Sequence, residues 1–309
     1  MILVVCLNPS IDCLQTYSER FRLGAVNRVA TEKKYPGGKG VHVAMAAAEM
    51  ESKVKLLGFW GGHAGDWMRE SCTAKGIEAL GIEVEGENRR CITMISADGL
   101  DETEILGAGP KITPQDVERF LRLFRQHIKE VDVVVLSGSL PPGCPDDLYA
   151  RLIEIGHASD VPTWIDCTGN PLKHALDTNP FGIHLNHKEA LAYTNKVDLS
   201  EATAVLQQQV NVVALTRGSR GLVLSSAEDS VEGSVQVGHI YCTVGSGDCL
   251  VAGLAISTYH SRSLQEAARL AVAMGSANCM STPLGLVQKA HVDELHKKIK
   301  IKHTNRVLQ

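Results

Sequence analysis

No Cys-x-x-Cys pair occurs in the chain, although it holds nine cysteines, an odd number spread from Cys6 to Cys279. A disulfide framework belongs to short secreted chains with paired cysteines, so these are read as reduced thiols in a reducing compartment. No structural-zinc spacing accompanies the 12 histidines. Apolar runs of the roughly 20 residues that a membrane helix needs are missing too. The opening Ile2–Leu7 is too short for a signal-peptide core and lacks a basic segment before it. A cytoplasmic, soluble protein with no membrane partner is expected. Excess positive charge is also absent: 31 Lys and Arg face 35 Asp and Glu, a formal net charge of −4, which argues against a nucleic-acid partner.

The charge that is present is uneven. Lys297, Lys298, Lys300, Lys302 and Arg306 crowd the last fifteen residues, leaving 26 basic against 35 acidic groups on residues 1–294, a net of −9. The tail is expected to be a solvated chain end, with a short amphipathic strand through Lys-Ile-Lys-Ile-Lys as the alternative. Any anionic substrate must be held by local groups, because the body as a whole repels it.

At 309 residues and 44% apolar, the chain can bury a large core. Short β-branched runs alternate with helical stretches, the pattern of a parallel sheet covered by helices. Strands are expected at Ile2–Leu7, Val54–Phe59, Val131–Leu136, Pro162–Asp166, Ile183–Leu185 and Asn211–Leu215. Helices are expected at Gly38–Met50, Glu118–Lys129, Asp146–Gly156 and Ser200–Gln209. Two segments break the rhythm. Leu14–Thr31 is extended, and Ile92–Ser96 with Thr103–Leu106 reads as a hairpin turning at Asp98-Gly99. Together they predict a small antiparallel sheet, from segments at about 12–34 and 88–109, inserted as a lid into one α/β domain spanning 1–309.

The most informative stretch is Thr243-Val-Gly245-Ser246-Gly247-Asp248-Cys-Leu-Val-Ala-Gly253, read as following an apolar strand at Ser234–Cys242 and opening a helix. Such a turn presents backbone N–H groups at the positive end of a helix dipole and suits an anion. Asp248 would repel a phosphate there unless it serves as a base for an attacking hydroxyl; the alternative is an ordinary helix start capped by Ser246 or Asp248. There is no G-x-x-x-x-G-K-[ST], and G-x-G-x-x-G fails because Leu250 stands where its third glycine belongs. That leaves a nicotinamide dehydrogenase without its fingerprint.

Other candidates lie at predicted strand ends. Gly37-Gly38-Lys39-Gly40 allows close backbone approach and adds a point charge. Asp12, after Asn8-Pro9-Ser10, can accept from two vicinal hydroxyls, or be a turn aspartate. Asn186 and Glu189 could hold a hydrated Mg²⁺, or simply cap a helix. Ser137 and Ser139 offer hydroxyls beside Pro141-Pro142, Thr216-Arg217-Gly218 is another glycine turn, and Arg89-Arg90 could clamp a phosphate.

The order of these motifs resembles the phosphofructokinase B branch of the ribokinase superfamily, from about residue 2 to residue 295. Asn8-Pro-Ser-Ile-Asp12, Gly37-Gly-Lys-Gly40, Leu136-Ser-Gly-Ser-Leu-Pro-Pro-Gly143, Asn186-x-x-Glu189 and Gly245-Ser-Gly-Asp248 carry the resemblance. Leu23-Gly-Ala-Val-Asn-Arg28, Asn88-Arg-Arg-Cys-Ile92 and Thr103–Pro110 are similar to the subgroup of tagatose-6-phosphate kinase and 1-phosphofructokinase.

The resemblance implies a three-layer ribokinase-like α/β sandwich and an ATP-dependent, Mg²⁺-dependent sugar-phosphate kinase. Asp248 would be the base, with Gly245, Ser246 and Gly247 as anion hole. Asp12 and Gly38 would hold sugar hydroxyls, while Lys39, Arg89, Arg28 and Ser139 would meet the substrate phosphate. Asn186 and Glu189 would organise Mg²⁺ and nucleotide phosphates. Thr216, Gly218, Gly221 and Asn278 would line the ATP side, and the lid would form a homodimer. A kinase of an unphosphorylated sugar or nucleoside, or a non-catalytic sensor on the same fold, are the alternatives. The family usually places asparagine where this chain has His42, often an acid where it has Lys188, and Gly-Thr-Gly where it has Ser281-Thr-Pro-Leu-Gly285.

Overall fold

The computed structural model describes residues 1–95, 102–238, 240–280 and 285–303. The first strand, β1 (Ile2–Cys6), leads into β2 (Ser10–Tyr17), β3 (Val29–Gly37), α1 (Lys39–Glu49), β4 (Val54–Gly61), α2 (Gly62–Thr73) and β5 (Glu78–Val84). Next come β6 (Arg89–Ile95), β7 (Glu102–Leu106), α3 (Pro114–His127), β8 (Val133–Ser137), α4 (Leu148–His157) and β9 (Thr163–Asp166). The chain continues through α5 (Asn170–Leu176), β10 (Gly182–Asn186), α6 (His187–Thr194), α7 (Leu199–Leu206) and β11 (Val212–Thr216). It closes with β12 (Leu222–Ser226), β13 (Ser230–Ser234), α8 (Ser246–Tyr259), α9 (Leu264–Cys279), α10 (Lys289–Lys298) and β14 (Lys300–His303).

The large sheet runs β14-β13-β12-β11-β10-β9-β8-β1-β4-β5. Its strands from β11 to β5 are mutually parallel, whereas β12, β13 and β14 add antiparallel at one edge. Strand β1 is buried at every position, as the centre of a doubly covered parallel sheet must be. Its side chains alternate between two cores. Ile2, Val4 and Cys6 face the layer built by α1, α8 and α9, while Leu3, Val5 and Leu7 face α3, α4 and α5. The result is the predicted α/β/α sandwich. Helix α8 is apolar nearly all round because it lies between α1 and α9, and residues 248–257 are all buried. No helix among the described residues is long and apolar enough to cross a membrane.

The second sheet has the order β3-β2-β6-β7 and draws on the two segments that break the α/β rhythm. It is mixed, not antiparallel as expected: β2 pairs with β6 in parallel, and the flanking pairs are antiparallel. The reason is topological. Strands β2 and β6 both arrive from the carboxyl ends of parallel strands, β1 and β5, and so run the same way. The hairpin turn at 97–99 lies outside the described residues, but β6 and β7 pair as predicted, Cys91 opposite Leu106.

Two further expectations are corrected. Among the described residues of Ser234–Cys242 only Ser234 lies in a strand: β13 ends there, because β14 begins at its partner Lys300 and no described strand extends beyond to pair with Val235 and Val237. The described part of the basic tail takes the alternative form, a short strand, and not that of a free chain end. Lys297 and Lys298 close α10, and Lys300–His303 forms the edge strand; Arg306 lies outside the described residues.

Candidate active site

The carboxyl ends of the parallel strands converge where open α/β sheets bind ligands. Asn8 follows β1, Ser137 ends β8, Asp166 ends β9, Asn186 ends β10 and Thr216 ends β11. Helix α8 points its N-terminus there from Gly245, in the left-handed region at φ 85°. The Ser246 N–H is already used, donating to the Thr243 carbonyl at 3.1 Å. The first N–H groups of a helix have no intrahelical acceptor, so those of Gly247 and Asp248 are the better anion donors.

Beside that turn lies a buried triad. His42 on α1 sits between Asp12 on β2 and Asp248 on α8. Its Nδ1 is 2.8 Å from Asp248 Oδ2 and its Nε2 is 3.1 Å from Asp12 Oδ2, the second contact close but misaligned for a hydrogen bond. Ser10 Oγ donates to Asp12 Oδ1 at 2.7 Å. Burial alone would lower the His42 pKa, but the close approach of the Asp12 and Asp248 carboxylates, and then their charges at longer range, raise it to about 10. Burial pushes the Asp12 carboxyl up, yet His42, Ser10 and Arg89 together hold it below the ordinary carboxylate range. The seat for the ring is cut by Gly285, where a Cβ would lie 2.1 Å from His42 Cδ2; Gly285 in turn presses against Gly245.

A second cluster was not expected from the sequence. Buried Asp166 accepts from Lys39 Nζ at 3.1 Å and Ser137 Oγ at 2.9 Å, and its Oδ1 lies 3.2 Å from His184 Nδ1. His184 Nε2 reaches Thr216 Oγ1 at 3.4 Å, and the His184 ring borders Gly247. Lys39 is thus engaged by a carboxylate inside the protein. Burial would lower its pKa, but Asp166, then Asp248 and Glu189, push it above the usual lysine value. Asp166 is pushed up by burial and brought well below the carboxylate range by Lys39 and His184. This cluster had a signal: Ser137 and Asp166 are register partners at adjacent strand ends, but only the fold shows that Lys39 and His184 point at them.

Arg89 and Ser139 do come together. Asn8 Nδ2 donates to Ser139 Oγ at 3.3 Å and to the Ala108 carbonyl at 3.1 Å. Arg89 donates Nε–H to the Asn8 carbonyl at 3.1 Å and Nη1–H to the Gly107 carbonyl at 3.2 Å, which fixes the plane of its fork. A cavity of about 460 Å³ opens between Asn8, Arg89, Ser139 and the Pro141-Pro142 loop. Asn8 Oδ1 is buried and without a hydrogen-bond partner among the described residues. Gly38 caps α1 beside Cys6 and Pro9. Arg28 stands apart, exposed in the loop entering β3.

On the other flank, Asn186 and Glu189 form a capping box. Asn186 Oδ1 accepts from the N–H of Lys188 and Glu189, both at 3.0 Å, and Glu189 Oε2 accepts from the Asn186 N–H at 2.8 Å. The cap therefore uses the Asn186 oxygen and one Glu189 oxygen, leaving Glu189 Oε1 outside the cap, and the Glu189 charge acts on Lys39. Among the described residues no group of three His, Cys, Asp or Glu is arranged around a cation. One spare carboxylate oxygen still suits Mg²⁺, which keeps most of its waters and leans on substrate phosphates. Gly218 and Gly221 frame a short 3₁₀ turn after β11, and Gly221 packs on the Gly233 carbonyl. Asn278 is buried behind the α8 turn, its Nδ2 donating to the Val244 carbonyl at 2.9 Å, so it braces the turn from within.

A family model described as the pfkB family carbohydrate kinase matches residues 1–286. The 1-phosphofructokinase of Bacillus subtilis (strain 168) is 33% identical over 307 residues, covering 97% of this chain and 99% of its own. Phosphofructokinase-2 from Escherichia coli, solved in complex with potassium, is similar in fold with a TM-score of 0.86 at 20% identity, over 96% of this chain and 98% of that one. Arabidopsis thaliana ribokinase, solved with ribose and ATP, gives 0.77 at 19% identity, over 96% and 98%. Sequence likeness of this extent means that the chain belongs to the pfkB family of carbohydrate kinases.

Proposed function

We propose that the protein transfers the γ-phosphoryl group of ATP to a hydroxyl of a ketohexose phosphate: tagatose 6-phosphate, fructose 1-phosphate or fructose 6-phosphate. The observation that carries this reading is the position of Asp248, in the first turn of α8 with Oδ2 held by His42. Its other oxygen is free to accept the proton of the attacking hydroxyl, while N–H groups of the same turn face the charge that develops on the transferring phosphoryl. Phosphoryl transfer leaves little covalent chemistry to the protein, so positioning and charge do most of the work.

Asp12 and the Gly38 backbone would hold sugar hydroxyls. Arg89 and Ser139, lining the cavity, would take the substrate's own phosphate, with Arg28 and Lys39 as further contacts. The Asn186–Glu189 turn, Thr216, Gly218 and Gly221 would lie along the nucleotide, braced by Asn278. Mg²⁺, when bound, would neutralise phosphate charge, and Asn186 and Glu189 would organise it, with the Glu189 oxygen that the cap leaves over as the ligand. The small sheet would act as a lid over the sugar and exclude water. Its exposed apolar residues Leu23, Val26, Val29, Ile105 and Leu106 would be covered in a homodimer, in a cytoplasmic, reducing setting that suits the free thiols.

One observation favours a second reading, a kinase of an unphosphorylated sugar. Lys39 is already paired with Asp166, which weakens one of the three cations expected at the substrate phosphate, beside Arg89 and Arg28. Coupled ADP-release assays with the three ketohexose phosphates and the corresponding free sugars decide between them. Turnover on a phosphorylated sugar, weakened in KM by Arg89→Gln, is the expected result; turnover on free sugars alone would overturn it.

A further inference from the structure

His42 raises a question of proton count. Both of its ring nitrogens face a carboxylate oxygen, Asp248 Oδ2 at 2.8 Å and Asp12 Oδ2 at 3.1 Å. A neutral imidazole has one N–H and one lone pair. In either tautomer, therefore, one nitrogen would turn its lone pair on a carboxylate in a buried site, where such repulsion is strongest. Only the imidazolium donates towards both. The ring is 4% exposed, so water cannot intervene to relieve a wrong tautomer. Its other surroundings agree. Gly285 offers only backbone to the ring, and the charged groups acting on the cluster are Asp12 from β2, Asp248 from α8, Arg89 from β6 and Lys39 from the start of α1.

We propose that His42 is a positioning residue that stays protonated through the catalytic cycle, an imidazolium strut setting the separation and orientation of the sugar-holding Asp12 and the base Asp248. This rests on the reading of Asp248 as base. The strut keeps Asp248 Oδ2 and leaves Oδ1 for the sugar hydroxyl. In the reaction that hydroxyl gives its proton to Oδ1 as its oxygen bonds to the γ-phosphorus, and the bond from phosphorus to the bridging oxygen breaks with its electron pair leaving on ADP. His42 neither gains nor loses a proton. It also leaves the two acids with a net charge of −1 next to the site of an anionic substrate, where −2 would stand without it. The elevated pKa of the ring is consistent with this role.

The test reads the proton directly. Nitrogen-15 NMR of the full-length protein, with the His42 signals assigned by their loss in His42→Asn or His42→Gln, should show both ring nitrogens protonated at pH 7.5 and titrating only near pH 10. A neutral His42 at pH 7.5 overturns the proposal. In kinetics, whichever variant keeps the wild-type circular dichroism should lose roughly 10²-fold in kcat, the cost of misplacing a reacting group by about an ångström, while KM for ATP stays within about twofold. The wild type should also lose kcat as pH rises towards 10, and the variant should lack that alkaline limb. A variant with wild-type kcat, or one that keeps the alkaline limb, overturns the positioning role. If Asp248→Asn retains full turnover while His42 is shown to be charged, the base reading fails, and the positioning role with it, but the charge assignment stands.

Discussion

Replacing Asp166 with asparagine removes one negative charge from a site that is closed to solvent, with only 2% of the side chain exposed. The shape is unchanged. An asparagine amide can still face Ser137 and its carbonyl can still accept from Lys39, so what is lost is the charge opposite Lys39 and His184. Removing one partner of a fully buried pair costs about 3–5 kcal/mol. Lys39 is 40% exposed, however, so its ammonium keeps part of its hydration and solvent screens the pair. The expected loss is about 2 kcal/mol at pH 7. With an unfolding entropy of roughly 2.1 cal/mol/K per residue over 309 residues, that is about 3 °C in Tm.

The pH dependence gives a sharper check. The Asp166 carboxyl lies well below its ordinary range when folded, so its contribution is fully present above an unfolded pKa of about 3.9 and fades as pH falls towards the folded value. Urea unfolding followed by fluorescence of buried Trp164, two residues away on β9, should show a constant gap between wild type and Asp166→Asn from pH 7 to 5 and a narrowing gap below 4. A gap under about 0.5 kcal/mol at pH 7, the range of an ordinary surface substitution, or one that widens below pH 4, would refute the reasoning.

Other outcomes follow from the same geometry. His42 gains a proton on folding, so its stabilisation is complete below an unfolded pKa of about 6.5 and is lost as pH rises to about 10. Wild-type stability should fall by up to about 1.4 kcal/mol per pH unit across that window, and His42→Asn should flatten the slope in a pH series of urea melts. Gly40→Ala would set a Cβ 2.6 Å from Cys6 Cβ and 2.9 Å from the Val5 carbonyl, pushing α1 off β1. Overpacking against backbone costs about 1–3 kcal/mol, so a lower thermal midpoint and a reduced kcat are expected together, since α1 carries both Lys39 and His42.

Much of the fold was legible because the parallel sheet writes itself locally. A strand such as Ile2-Leu-Val-Val-Cys6 is apolar at every position only if both faces are covered. The misread segment, Ser234–Cys242, shows the limit of such patterns: Val235 and Val237 alternate as in a strand, but pairing needs a neighbour, and none reaches past Ser234. The direction of β2 relative to β6 depended likewise on where the large sheet delivers the chain.

The site divides in the same way. Asp248 and the glycines before it could be read from one short window. His42 was visible as a departure from the family pattern, but its partners were not, since Asp248 lies 206 positions away. Lys39 shows another limit of the sequence. Its flanking glycines suggested a phosphate, yet the acid that holds it ends a strand 127 positions later. Asn186 and Glu189 did form the helix cap that their spacing allowed, and whether they also serve a cation depends on the one oxygen the cap leaves over.

The central claim is that Asp248 takes the proton of the attacking hydroxyl. Single-turnover phosphoryl transfer from Mg-ATP, measured for wild type and Asp248→Asn on whichever ketohexose phosphate the wild type accepts, tests it directly. The neutral amide keeps the shape but cannot take the proton, so the rate should fall by at least about 10²-fold, the lower range for a general base, while ATP affinity stays within a few fold. A variant that transfers phosphoryl at the wild-type rate would contradict the account.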